Sequence, residues 1–207
     1  MKSIVLIAVM LLSLPSVASI YSTDEIPEEA YTFEFNIEPL NLSMSSEEKL
    51  FRAVDLLGQV FASPEFKHRI LAYRFNHKHQ FAMNKGLTNR QIYEKILHGT
   101  EKLSPEENNA MDVEISLYSD YDSRVLGYTR PDTKKIWMNM KYFNKHSIAE
   151  LAGHLVHEWL HKLGFGHEED WTPTREDTVP YAIGYIVRDI AEKIDEENSY
   201  QEGPFER

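Results

Sequence analysis

From Ser147 to His167 the chain reads Ser-Ile-Ala-Glu-Leu-Ala-Gly-His-Leu-Val-His-Glu-Trp-Leu-His-Lys-Leu-Gly-Phe-Gly-His. No other stretch limits the fold as much. Ser147 and Glu150 have capping-box spacing, in which each side chain satisfies a free backbone N–H at a helix start. Ile148, Ala152, Leu155, Trp159 and Leu163 recur at helical spacing and form one apolar face. Gly164 is a natural helix stop. The spacing predicts a helix of about four to five turns whose stripe must find a core. It carries His154, His157 and His161, and His167 follows just past its end.

His157 and His161 lie one turn and about 40° apart on such a helix, so both imidazoles point at one spot. Zinc takes nitrogen ligands at about 2.0–2.1 Å in a tetrahedron, and two histidines at this spacing supply half of it. Gly164 permits a left-handed turn that a side chain would resist. His167, three residues later, returns toward the same point. Three protein ligands leave one position for water, the arrangement of a catalytic zinc site rather than a closed structural one. Glu158 sits about 100° around the helix from His157. It is badly placed to share the ion with both histidines but able to reach that water. A carboxylate there takes the proton as the water attacks a carbonyl and hands it to the leaving amine. One Zn2+ is therefore expected on His157, His161 and His167, with Glu158 as general base. A glutamate of the last helix, such as Glu192, is the alternative third ligand; the Gly164–His167 spacing favours His167.

The remaining pattern predicts an α+β chain with a helical N-terminal half. Tyr31, Phe33, Phe35 and Ile37 alternate with polar residues as in a strand. Ser45 and Glu48 read as a capping box for a helix through Leu50, Val54, Leu57 and Phe61. Ser63-Pro64 opens a second helix through Phe66 and Ile70. Thr88 and Gln91 cap a third, with Ile92 and Ile96 buried. Val113, Ile115 and Leu117, then residues 125–129, then Ile136, Met138 and Met140 read as two or three strands with a hairpin around Pro131-Asp132. Thr178 and Pro180 start a last helix, with Ile183, Val187, Ile190 and Ile194 as its stripe. Among the remaining histidines, His154 reads as an ordinary helix residue, with a supporting contact to the site as the alternative. His77 and His79 read as solvated, and so do Glu168, Glu169 and Asp170.

The first residues are set apart from this domain. Lys2, the apolar run from Ile4 to Leu14, Pro15 and the small residues Ser16, Ala18 and Ser19 read as a signal peptide covering residues 1–19. A single domain is expected over residues 20–207, secreted or periplasmic, acting as a monomer. The run is too short to span a bilayer comfortably, and no membrane association is expected once it is removed. With no cysteine, disulfides and thiolate zinc sites are excluded. The net charge of −11 repels nucleic acid and anionic membranes. The expected partner is a protein or peptide substrate.

His157-Glu158-Trp159-Leu160-His161-Lys162-Leu163-Gly164-Phe165-Gly166-His167 resembles the H-E-x-x-H-x-x-G-x-x-H signature of the metzincin zinc peptidases. The resemblance implies a metzincin-like fold with a small mixed sheet, an active-site helix and a C-terminal helix. It also implies zinc endopeptidase activity. Metzincins carry a methionine turn beneath the metal, whereas the last methionine here is Met140. Residues 178–181 (Thr-Val-Pro-Tyr) stand at about the right distance to replace it. In some metzincins a tyrosine just after this turn contacts the metal or the oxyanion, which makes Tyr181 a candidate catalytic residue. The family also places an edge strand before the helix, here residues 125–129, against which an extended peptide can pair. Two rivals share these residues: a domain that zinc only braces, and a zinc amide hydrolase acting on cell-wall peptide.

Overall fold

The computed structural model describes residues 32–201 and, for the backbone alone, residues 4–8. The expected signal peptide otherwise lies outside the described residues, as does Tyr31. Strands β1 (Ile4–Ala8) and β2 (Phe33–Leu40) are antiparallel. Helices α1 (Met44–Ala62), α2 (Pro64–Ala72) and α3 (Asn89–His98) follow. Then come β3 (Ala110–Tyr118), β4 (Gly127–Thr129) and β5 (Lys135–Asn139), followed by α4 (Met140–Lys145), α5 (Ile148–Lys162) and α6 (Val179–Gln201). The chain is thus mixed α/β, with six helices among the described residues and one small mixed sheet.

The sheet order is β1-β2-β3-β5-β4. β2, β3 and β5 run parallel, and β4 folds back antiparallel on β5 as the outer strand. Parallel neighbours need a crossover, and α1 to α3 supply it between β2 and β3. Phe33, Phe35 and Ile37 are buried, while Glu34, Asn36 and Glu38 between them are half-buried, so the period-two pattern decides which face meets the helices.

The core lies between the sheet and α1, α5 and α6. Trp159 is its largest fully buried side chain, with the rings of Phe33 and Phe61 at 5.9 and 6.4 Å. The expected caps at Thr88/Gln91 and Ser147/Glu150 form as capping boxes, and the one expected at Ser45/Glu48 does not. Lys49 of α1 donates to the carbonyls of Phe143 and His146 at 2.7 and 2.6 Å, which ties α1 to the junction between α4 and α5. α5 and α6 touch backbone to backbone: a Cβ on Gly153 would stand 2.6 Å from the Gly184 carbonyl oxygen. That approach brings the start of α6 beneath the histidine face of α5.

Four expectations shift. The cap of α1 is Ser43, whose Oγ accepts from the Ser46 N–H at 3.2 Å; Ser45 already lies in the first turn. The strand expected over 125–129 pairs only from Gly127, leaving Val125 and Leu126 exposed. Met140 does not extend β5, because the Asn139 side chain accepts from the Lys141 N–H and starts α4 there. Residues 73–88 interrupt the helical half, with left-handed backbone at Asn76, His77, Met83 and Lys85. No helix among the described residues is long and apolar enough to cross a membrane.

Candidate metal centre

His157 and His161 face the same side of α5, with ring centroids 5.1 Å apart. The helix then closes with a Schellman turn: the Gly164 N–H donates to His161 O and the Phe165 N–H to Leu160 O, both at 3.0 Å. Gly164 takes φ +96°, which a side chain would resist. The chain swings back, and the His167 ring comes to rest 5.3 Å from His157 and 4.9 Å from His161. One nitrogen from each histidine lies within 4.8 Å of the other two, so the three could hold a metal ion.

The donor chemistry fits such an ion. Tetrahedral ligands at zinc distances stand about 3.3 Å apart, within the observed spread and reachable by small ring rotations. His161 Nδ1 faces the Phe165 carbonyl at 2.9 Å, and His167 Nδ1 faces that of Glu168 at 2.8 Å. A carbonyl only accepts, so both Nδ1 atoms carry hydrogen and each Nε2 lone pair is free. Burial, with the neighbouring imidazoles adding to it, holds His157 well below the usual histidine range. Burial also lowers His167. Both rings are therefore neutral near pH 7, the state in which imidazole binds a cation.

Glu158 is buried at 4 % exposure. Its Oε1 stands 3.3 Å from His154 Nε2, one turn back on α5. The bland reading of His154 is thus corrected: its side chain is as buried as that of Glu158 and touches it. The signal was legible, since positions four apart on a helix are neighbours. Tyr181 packs its ring 4.5 Å from His157 and 4.8 Å from His167. The Arg175 guanidinium lies 5.0 Å from that ring, and burial raises the phenol above its ordinary pKa. Thr178, fully buried, donates to the Arg175 carbonyl at 2.6 Å and fixes the turn that delivers Tyr181.

Glu192 is not at this centre; it is half exposed and lies 3.8 Å from Arg188. His77 and His79 are exposed, as are Glu169 and Asp170. Glu168 is half-buried instead, accepting from Thr174 Oγ1 at 3.3 Å. Sequence reasoning missed two buried ionisable groups behind the helix. Lys162, 4 % exposed, donates to the carbonyls of Arg130, Thr133 and Lys135. Glu101 accepts from the Trp159 indole N–H at 2.7 Å. Its partner is 58 residues away in sequence, so no local spacing could signal the pair. No known protein family matches the chain, and no curated protein matches it.

Proposed function

We propose that the chain is an exported, zinc-dependent endopeptidase of metzincin type. The observation that carries this reading is the convergence of three imidazoles beside a buried carboxylate that none of them uses. His157, His161 and His167 would hold the ion. Zinc bound there would supply a Lewis acid for the scissile carbonyl and would lower the pKa of a water toward about 7. Glu158 would accept a proton from the attacking water as the new C–O bond forms, and would return it to the amine as the C–N bond breaks. The raised phenol of Tyr181 keeps its proton at neutral pH and donates it as a hydrogen bond to the oxyanion. An extended substrate lies along β4, whose outer side carries no partner strand among the described residues.

The test uses the purified mature chain loaded with zinc and a quenched fluorescent peptide library. Cleavage that a chelator abolishes and zinc restores is expected. Glu158→Gln should keep one bound zinc and lose cleavage. A braced fold without catalysis would show bound zinc and no cleavage in either form. An amide hydrolase of cell-wall peptide would leave the library intact and release amine from peptidoglycan stems.

A further inference from the structure

We infer that His154 is a positioning residue for Glu158, seated in a slot that Gly127 of β4 keeps open. This rests on the reading of Glu158 as general base. The two side chains are 9 % and 6 % exposed and meet at 3.3 Å. An ionised carboxylate has only acceptor atoms, so His154 Nε2 must carry the hydrogen between them. A buried carboxylate with no donor is expensive and would turn toward water or toward the cation. One donor from the side fixes which oxygen is engaged and leaves the other, Oε2, to face the reacting water.

His154 is itself held on three sides. Measured from His157, it lies about 60° around α5, between His161 at about 40° and Glu158 at about 100°. Behind it stands the His146 ring, at 5.9 Å and 76°. Above it runs β4. A Cβ built on Gly127 would fall 2.9 Å from His154 Nε2, 3.0 Å from its Cε1 and 2.8 Å from the Trp137 carbonyl oxygen. Any side chain at 127 would therefore push the imidazole off the carboxylate. The glycine of the outer strand and the histidine one turn before the motif make a single device, which H-E-x-x-H spacing does not contain.

A role confined to stability predicts something different. A single long contact between i and i+4 side chains contributes little to helix stability. Loss of a group that orients a reacting carboxylate acts on turnover instead, typically by about 10–100-fold for a supporting contact of this kind. The decisive experiment compares zinc-loaded wild type, His154→Leu and His154→Gln on one fluorogenic peptide selected from the library. His154→Leu should lower kcat by about 10–100-fold with KM and zinc stoichiometry unchanged. His154→Gln, which still offers an N–H at similar reach, should recover most of that loss. An unchanged kcat in His154→Leu, or a glutamine variant as slow as the leucine one, overturns the inference. A second measurement needs no substrate and no foldable leucine variant. The 1H–15N spectrum of the wild-type imidazoles should show a slowly exchanging His154 Nε2–H that Glu158→Ala abolishes. If no peptide is cleaved but that proton is present and depends on Glu158, the peptidase reading fails and the positioning stands. If the proton exchanges freely in the wild type, the positioning fails whatever the activity.

Discussion

Behind α5, Trp159 donates to Glu101 at 2.7 Å and the Asp112 N–H donates to the same oxygen at 3.1 Å, while Lys162 meets three backbone carbonyls. In front of it, Glu158 has one neighbour at 3.3 Å, and three imidazoles bring one nitrogen each within 4.8 Å of the others. Both sides bury polar groups beside the same helix. Behind, the groups are tied to β3 and to the loop between β4 and β5, and their geometry is set by the fold. In front, His161 and His167 are each fixed through Nδ1, and one nitrogen of each of the three rings is gathered within 4.8 Å of the others. The back serves packing, leaving only Glu101 Oε2 of its named side-chain atoms without a partner, whereas the front gathers donor atoms at one point where a cation could sit.

Mutations should separate the two sides. The largest effect belongs to the front: Glu158→Gln should lower peptide cleavage by about 10²–10⁴-fold, while its melting temperature stays close to wild type. A variant that melts far earlier would mean that Glu158 serves the fold as Glu101 does. Next comes the back. Burial lowers the Lys162 ammonium to about 8, so near pH 7 it carries the charge those carbonyls bind. Lys162→Met leaves them without their donor and should cost about 2–3 kcal/mol in denaturant unfolding. Its zinc content should stay at one per chain. A cost below about 0.5 kcal/mol, the level of an ordinary surface change, would remove the contrast.

Smaller effects come from pH in the metal-free protein. His157 and His167 titrate below the ordinary histidine value when folded. Below about 6.5 the unfolded chain takes protons that the folded chain refuses, so stability falls as pH drops through that range. Each group can contribute a slope of at most about 1.4 kcal/mol per pH unit. His157→Gln should flatten this limb in chemical denaturation at pH 5 to 7. Glu101 acts in the opposite sense. Burial, more than any other influence, raises its carboxyl. The folded chain then holds a proton that the unfolded chain releases above about 4.5, and stability falls as pH rises there. Glu101→Gln should remove that opposing contribution and make the acid limb steeper, the smallest of these changes. A shallower limb would contradict the assignment of Glu101 as the group held protonated.

The front of α5 was legible because its chemistry is local. His157, Glu158, His161, Gly164 and His167 fall within eleven residues, and helix geometry with one glycine turn predicts their meeting without knowledge of the rest. The two capping boxes and the alternation of β2 and β3 were legible for the same reason. What sequence missed depends on distant segments. Ser45 and Glu48 have capping-box spacing, yet the chain caps this helix two residues earlier, at Ser43. Lys162 at a helix end ordinarily reaches solvent, and only the loop between β4 and β5 folding over it makes it an interior donor. For His154 the contact with Glu158 was legible from spacing, but not Gly127, which makes its room and lies 27 residues earlier on another element.

The most direct test of three imidazoles gathered on one ion is zinc K-edge absorption spectroscopy on the loaded, full-length chain. The account predicts three imidazole nitrogens at about 2.0 Å with one or two light oxygen ligands, and a spectrum unchanged in Glu158→Gln. Two imidazoles with a carboxylate, or a first shell that changes when Glu158 is replaced, would contradict it.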